Sequence, residues 1–458
     1  MDLPISAEFV AKYNKPGPRY TSYPTVPAWK QPFGAADYRQ ALEELAGRPD
    51  DELALYLHLP FCAKHCHYCG CNAMVTRRKD AVTTYLDQVE RELKMVTRVI
   101  GTGRKVKQLH WGGGTPNYLN EKETERALNL LRAHFDLEAD AELSLEIDPR
   151  IASPQQVKFL REIGFNRISM GVQDFEARVQ KAIGRRQSRE RTIRVYEGCR
   201  AAGFAGVNVD LVYGLPGQTQ ASFTETLDRI IELAPDRLAV FSYAHVPWAR
   251  PLQNKVDMTV MLTGYEKFQL FQLTVDMLGQ AGYDWIGIDH FAKRDDELAV
   301  ALRRRRLHRN FMGYATKPAP HMLAFGMSGI GDVCGRFTQN SPDLETWGRA
   351  VDAGELPVVK GHKLSARDKL GRLAILNVMC NLELPWDLTV ADYGQPANVL
   401  FADSLKALPP LVRDGLVEVD DRGLRITAKG RYFVRNVAMI LDAYLGREDG
   451  KPIFSKTV

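Results

Sequence analysis

The sequence predicts an α/β protein whose middle is a barrel-like parallel sheet of six βα units. Three observations predict it. Six short apolar runs alternate with helical patterns between residues 54 and 245. Each run ends in polar or glycine-rich residues. From about residue 361 the pattern changes to helices with one late hairpin. The expected organisation is an N-terminal arm (1–50), a barrel with its extension (51–360) and a mostly helical C-terminal domain (361–458).

The arm contains "YNKPGPRYTSYPT" (13–25), too rich in Pro and Gly for a regular helix. A tether is one reading. Arg19, Tyr20 and Tyr23 are large for that role, because disordered segments are poor in aromatics. The strands are then "ALYLHLP" (54–60), "VKQLHWGG" (106–113), "ELSLEID" (142–148), "RISMGVQ" (167–173), "GVNVDLVYG" (206–214) and "RLAVFSYAH" (237–245). Each is short and apolar, as a strand buried on both faces requires. Between the first two, Val82, Leu86, Val89, Leu93 and Val96 recur at helical spacing. Further helices fit 121–135, 154–163, 189–202 and 219–233, with a short one near 176–183. Serial βα units imply right-handed crossovers and a parallel sheet.

After the barrel, "YEKFQLFQLTVDMLGQAGY" reads as a helix and "DWIGIDHFAK" as a strand leading into a polar loop with Asp289, His290 and Phe291. Near the end, "LVRDGLVEVDDRGLRITAKGRYFVRNV" reads as helix, two strands and helix, a winged-helix-like unit. Its turn "DDRG" carries two acids and one base, which does not suit phosphate binding.

The chain has 458 residues, 45% of them hydrophobic, and a formal charge of +5. That charge does not call for nucleic acid, though it suits an acidic substrate. No run of about 18 apolar residues occurs, so no membrane span is expected, and the start lacks an apolar signal core. Arg303 to Arg306 form a basic run. A solvated face is its plain reading, and contact with a polyacid the alternative.

Four of the seven cysteines lie in "CAKHCHYCGC" (62–71). Cys199, Cys334 and Cys380 are scattered and read as buried thiols. One dense cluster and an odd total argue against a disulfide framework. Thiols that must stay reduced point to the cytoplasm. Structural zinc usually takes four ligands, often as two separated pairs, and no second pair exists here. An iron–sulfur cluster lets one loop reach several irons. A 4Fe-4S cube on three cysteines leaves one iron open to a small chelating ligand. Zinc, or thiols with a structural role alone, is the alternative.

The strand ends form one rim: "HLPFC", "GGGTP", "EIDP", "GVQ", "YGLP" and "YAHVP". In βα barrels that end carries the chemistry. "GGGTP" is either a turn or a place where backbone approaches a ligand closely. Glu146, inside an apolar strand, is costly to bury unless paired. It either pairs with a helix arginine or meets a ligand hydroxyl or amino group. Gln173 and Asp210 raise the same question, and Arg185 is a candidate partner for a carboxylate.

The spacing Cys62-x3-Cys66-x2-Cys69 is that of the radical S-adenosylmethionine (SAM) proteins. With "GPRYTSYPT", "YLHLPFCAKHCHYCGCN", "WGGGTP", "GVQDF", "DLVYGLPGQT", "DHFA", "LHRNF" and "ITAKGR", the chain resembles the oxygen-independent coproporphyrinogen III oxidases along almost its whole length. The arm, Cys71 and "DHFA" are the more specific features. The resemblance implies a partial (βα)6 barrel of the radical SAM type, open at one side. It implies one 4Fe-4S cluster per chain on Cys62, Cys66 and Cys69, and SAM lined by Tyr56, Gly113, Glu146 and Ile330. A second SAM is implied at Tyr68, Gly114, Thr115, Gln173, Arg185, Asp210 and Ala244. The implied reaction converts two propionates of coproporphyrinogen III to vinyl groups, giving protoporphyrinogen IX in haem biosynthesis. A 5′-deoxyadenosyl radical from SAM takes a hydrogen atom from the propionate β-carbon. A low-potential donor such as a flavodoxin or ferredoxin is implied, and a monomer is expected. The alternative is a haem chaperone of the same superfamily without oxidase activity. The arm is expected to lie over the barrel opening, where Arg19 meets a substrate carboxylate. Cys71 is expected to face the site without binding iron.

Overall fold

The computed structural model describes residues 5–78, 80–316, 319–445 and 454–457. Its N-terminal segment holds α1 (Ala7–Tyr13) and α2 (Ala35–Ala46). Six parallel strands follow, β1 (Leu53–Leu59), β2 (Arg104–Gly113), β3 (Phe135–Ile147), β4 (Arg167–Gln173), β5 (Gly206–Tyr213) and β6 (Arg237–Ser242). The helices between them are α3 (Ala81–Ile100), α4 (Glu121–His134), α5 (Pro154–Glu162), α6 (Ala177–Ala182), α7 (Arg189–Ala201) and α8 (Gln220–Leu233). The expected six units are present in order. The third strand starts seven residues earlier than its apolar run, because Phe135–Leu137 pairs with Arg104–Val106 before the run begins.

Next come α9 (Gly264–Gln280), β7 (Tyr283–Gly287), β8 (His290–Lys293), α10 (Glu297–Arg303), β9 (His308–Asn310) and β10 (Gly313–Ala315). Then follow β11 (His321–Phe325), β12 (Ile330–Val333), β13 (Arg336–Asn340), α11 (Leu344–Asp352) and β14 (Val358–Lys363). The sheet has twelve strands, in the order β14-β13-β12-β11-β1-β2-β3-β4-β5-β6-β8-β7. β11 lies parallel to β1, with Leu53 to Leu57 opposite His321 to Phe325. Both flanks are antiparallel. Of the expected polar loop, Asp289 lies in the turn after β7, whereas His290 and Phe291 start β8. His290 pairs with Ala239 of β6 and Gly287 of β7, and Phe291 is buried, so ladder bonds satisfy that backbone.

The core follows the apolar spacing. Val82, Leu86, Val89, Leu93 and Val96 of α3 are all buried against the sheet. Burying each contributes about 1.5–3 kcal/mol. Two polar side chains of α3 have a different task. The Tyr85 hydroxyl donates to the His58 carbonyl at 2.6 Å and accepts the Met327 N–H at 3.1 Å. Buried Glu92 accepts from the Gly326 N–H at 2.9 Å and the Asn340 amide at 2.6 Å. Together they latch the turn after β11 to the end of β1. Burial pushes the Glu92 carboxyl up to about 7. Tyr85→Phe leaves a buried acceptor and a buried donor unpaired. The expected cost is about 1–3 kcal/mol, measured by urea unfolding.

A second core joins the N-terminal segment to the C-terminal helices. α12 (Ala366–Leu376) leads into helices at Leu408–Arg413 and Val434–Ile440, around the small sheet β15 (Glu383–Pro385), β16 (Val417–Val419) and β17 (Gly423–Ile426). β16 and β17 form the winged-helix-like hairpin read from the sequence. The residue 360/361 division falls inside β14. Tyr13, Tyr20 and Tyr23 are buried in this core beside Phe433 and Val437. The Arg435 guanidinium donates to the Pro18 carbonyl at 2.8 Å and also to that of Gly17. The arm is therefore a docked element whose large aromatics are packed.

Candidate active site

The cysteine loop leaves β1 and is closed at its base. The Cys62 N–H donates to the Met74 carbonyl at 2.8 Å, and the Met74 N–H to that of Pro60 at 2.7 Å. Its tip is tied across the sheet. The His67 N–H donates to the Ile183 carbonyl at 2.9 Å, and the Gln253 amide to that of Tyr68 at 2.9 Å. Gly184 sits at φ +67°, and a Cβ there would stand 2.8 Å from the His67 ring. Only glycine allows the loop to approach so closely.

Each of three thiols has a polar partner. Cys62 Sγ lies 3.3 Å from the Thr115 hydroxyl. Cys66 Sγ accepts from Arg150 at 3.5 Å and from Arg185 at 3.6 Å. Cys69 Sγ accepts the Cys71 N–H at 3.4 Å. Burial pushes the Cys62 thiol up to about 11. The hydrogen bonds from Cys71 bring Cys69 down to about 6 and push Cys71 up. Among the described residues, no three ligating side chains converge as around a single ion. A cubane places its thiolates on separate irons, which one ten-residue loop can serve.

The loop faces a cavity of about 610 Å³ enclosed by side chains from β2 to β6. Cys62, Cys66, Cys69 and Cys71 line it. So do Tyr68, Gly114, Thr115, Glu146, Gln173, Arg185, Asp210 and Ala244. Twelve of the sixteen residues expected from the sequence thus share one cavity. The other four stand outside its lining. Tyr56 stacks behind the lining residue His110, with ring centroids 6.0 Å apart. Gly113, at φ +106°, packs on the His58 ring. Ile330 packs near Trp29 and Phe337. Arg19 pairs with buried Asp289, its guanidinium 5.8 Å from the ring of Phe241, which does line the cavity.

Glu146 has no arginine partner. Its nearest ionisable neighbour is the His110 ring, at 3.5 Å, and its side chain is 42% exposed into the cavity. The ion pair with a helix arginine considered for it is absent among the described residues. Asp210 accepts from Ser169 at 3.0 Å and Asn208 at 2.7 Å. Burial and the charge of Glu146 push its carboxyl up to about 7. Two carboxyl groups with no lysine or arginine partner among the described residues are thus poised for a cationic or hydroxyl-bearing ligand. On the far wall, burial and nearby arginines hold His290 down to about 3, so it is neutral, with Nδ1 2.7 Å from Asp289.

The sequence reading missed Asp148 and Arg150. Asp148 is buried and pairs with both Arg150 and Arg185. Its signal was a second acid beside Glu146 at a strand end. Arg303 to Arg306 lie exposed, with Arg303 on Asp284 and Arg305 on Glu383. Of the scattered cysteines, Cys199 and Cys380 are buried. Cys334 is half-buried, in a turn at φ +47°.

The radical SAM superfamily matches this chain over residues 56–230, and the HemN C-terminal domain over 364–433. A protein of Escherichia coli named oxygen-independent coproporphyrinogen III oxidase is 43% identical over 98% of this chain and 97% of its own length. Its namesake in Synechocystis is 41% identical over 99% of this chain and 98% of its own. A solved structure of the Escherichia coli coproporphyrinogen III oxidase, described as a radical SAM enzyme, superposes with a TM-score of 0.87. It covers 93% of this chain and 98% of that one, at 43% identity.

Proposed function

Since the chain belongs to the oxygen-independent coproporphyrinogen III oxidases of the radical SAM superfamily, we infer that its cavity carries out that family's reaction. The substrate is coproporphyrinogen III, two of whose propionates become vinyl groups, giving protoporphyrinogen IX. Each conversion removes a hydrogen atom, carbon dioxide and one electron from a propionate. The observation that carries this reading is the shared cavity: three partnered thiols face Glu146 and Asp210 across one rim.

The thiol set fits a 4Fe-4S cluster, with Cys62, Cys66 and Cys69 as its ligands. Bound there, the cluster and SAM supply a 5′-deoxyadenosyl radical that abstracts hydrogen. The residues of the chain bind and orient. Glu146, at the first SAM, and Asp210, at the second, receive hydroxyl or amino groups through charge-assisted hydrogen bonds. The backbone of Gly113 serves the first SAM and that of Gly114 and Thr115 the second. Tyr68, Gly114, Thr115, Gln173, Arg185, Asp210 and Ala244 serve the second SAM. Tyr56 and Ile330 complete the site of the first SAM. The docked arm brings Arg19 behind Phe241. There it neutralises Asp289, and a movement of Phe241 would bring it to a substrate carboxylate. The packed arm also favours the oxidase over the chaperone reading.

A low-potential flavodoxin or ferredoxin as donor, a monomeric state and a cytoplasmic setting complete the proposal. Seven free cysteines support that setting. No helix among the described residues is long and apolar enough to cross a membrane.

The reading is tested by anaerobic incubation of the reconstituted chain with reductant, SAM and coproporphyrinogen III. Mass analysis should find the loss of two carbon dioxide units. Unchanged coproporphyrinogen beside active SAM cleavage would favour the chaperone. Cys71→Ser is expected to keep its iron and lose most turnover, since Cys71 lines the cavity next to Cys69. Parallel iron analysis and product assay check it. Loss of iron would make Cys71 a ligand.

A further inference from the structure

We propose that Arg150 sets the reduction potential of the cluster by donating to the Cys66 sulfur. The proposal rests on the cluster reading of the cysteine loop.

Arg150 stands two residues past Asp148, where β3 ends. Its Nε donates to both Asp148 oxygens, at 3.0 and 2.9 Å, and its Nη2 to Oδ2 at 2.6 Å. This fork fixes the guanidinium. The same Nη2 is then 3.5 Å from Cys66 Sγ. Arg185 arrives from the connection between α6 and α7 and grips the same carboxylate, at 3.3 and 3.2 Å. Its Nη1 is 3.6 Å from the same sulfur. Arg185 and Asp148 are buried, with exposures of 7% and 8%, and Arg150 is 14% exposed.

Two cations share one carboxylate, so a net positive charge is held against one sulfur in a water-poor place. One-electron reduction adds a negative charge to the cluster and its thiolates. N–H groups and cations at the sulfurs stabilise that added charge and raise the potential. Arg185 also donates to the Gly171 carbonyl at 2.7 Å and to Gln187 at 3.1 Å. Arg150 is therefore the cleaner reporter. It touches no reacting atom and acts through Cys66, as a positioning residue. Mere bracing of β3 against the α6–α7 connection would leave the potential unmoved.

The test uses the full chain, reconstituted anaerobically, as wild type, Arg150→Met, Arg150→Lys and Arg150→Gln. Iron and sulfide are counted first. Each protein is then titrated with dithionite without SAM, and the reduced cluster is followed by electron paramagnetic resonance. Arg150→Met should keep its iron and shift its midpoint to lower potential. The expected shift is about tenfold in the one-electron equilibrium constant, or about 59 mV. Arg150→Lys keeps the charge and should shift less. Arg150→Met with full iron and the wild-type midpoint would overturn the proposal. If Arg150→Met loses iron, the Lys and Gln variants decide, and unchanged midpoints in both would overturn it. A wild type without iron and sulfide would instead defeat the cluster reading, before any variant is titrated.

Discussion

Cys62→Ala, Cys66→Ala and Cys69→Ala are each expected to abolish SAM cleavage while leaving the fold intact. The reason lies in what the thiols touch. Cys66 loses one sulfur, but Arg150 and Arg185 keep Asp148. Cys62 loses a contact to Thr115, whose N–H still donates to the Phe61 carbonyl at 2.8 Å. The loop base, closed through Cys62 and Met74 backbone, does not depend on any sulfur. A cube left with two thiolates has two irons without protein ligands. Iron content should therefore fall from about four per chain to a small fraction of that. Colorimetric iron and sulfide analysis, with circular dichroism as the check on folding, measures both halves. A variant that kept four irons would remove that cysteine from the ligand set.

Asp210→Asn is expected to move stability and binding in opposite directions. The Asp210 carboxyl is held up to about 7 by burial first and the charge of Glu146 second. The native state therefore holds this proton more tightly than the unfolded chain, whose aspartates titrate near about 3.9. The contribution of this group to stability is complete below that value. It is lost as pH rises through about 7. Asparagine cannot ionise, so the variant should equal or exceed the wild type in thermal stability at pH 8. It also keeps hydrogen-bonding capacity toward Ser169. SAM binding should weaken by at least tenfold at pH 8, where the lost charge matters most, and less at pH 6. Isothermal titration and thermal melts at the two pH values check this. Earlier melting at pH 8 with unaltered SAM affinity would show that Asp210 braces the barrel.

The six parallel strands were legible because burial on both faces forces nearly continuous apolar runs, as in "ALYLHLP". Their rim was legible because polar residues at strand ends have no structural excuse inside a parallel sheet. The partner of β1 on its other side was not. β11 comes from His321–Phe325, more than 250 residues away, and "HMLAF" carries no mark of its neighbour. The β7–β8 hairpin was missed because its turn puts Ile288 at φ +38°, where glycine or asparagine is the usual sign. Arg19 was picked out, but the buried Asp289 that holds it was not assigned to it. The Asp148–Arg150–Arg185 group joins residues 37 apart in sequence, and "DPR" alone has no signature. Tyr56, Gly113 and Ile330 came from resemblance, and none of them is among the residues that line the cavity.

The central claim is that the thiol loop and the cavity together remove hydrogen from the propionates of coproporphyrinogen III. The measurement that bears on it most directly uses substrate deuterated at the propionate β-carbons. It is turned over anaerobically by the reconstituted chain, and the 5′-deoxyadenosine released is examined by mass spectrometry. Deuterium should appear in the 5′-deoxyadenosine, with two labelled molecules formed for each protoporphyrinogen IX. Unlabelled 5′-deoxyadenosine beside intact, fully deuterated coproporphyrinogen would contradict it.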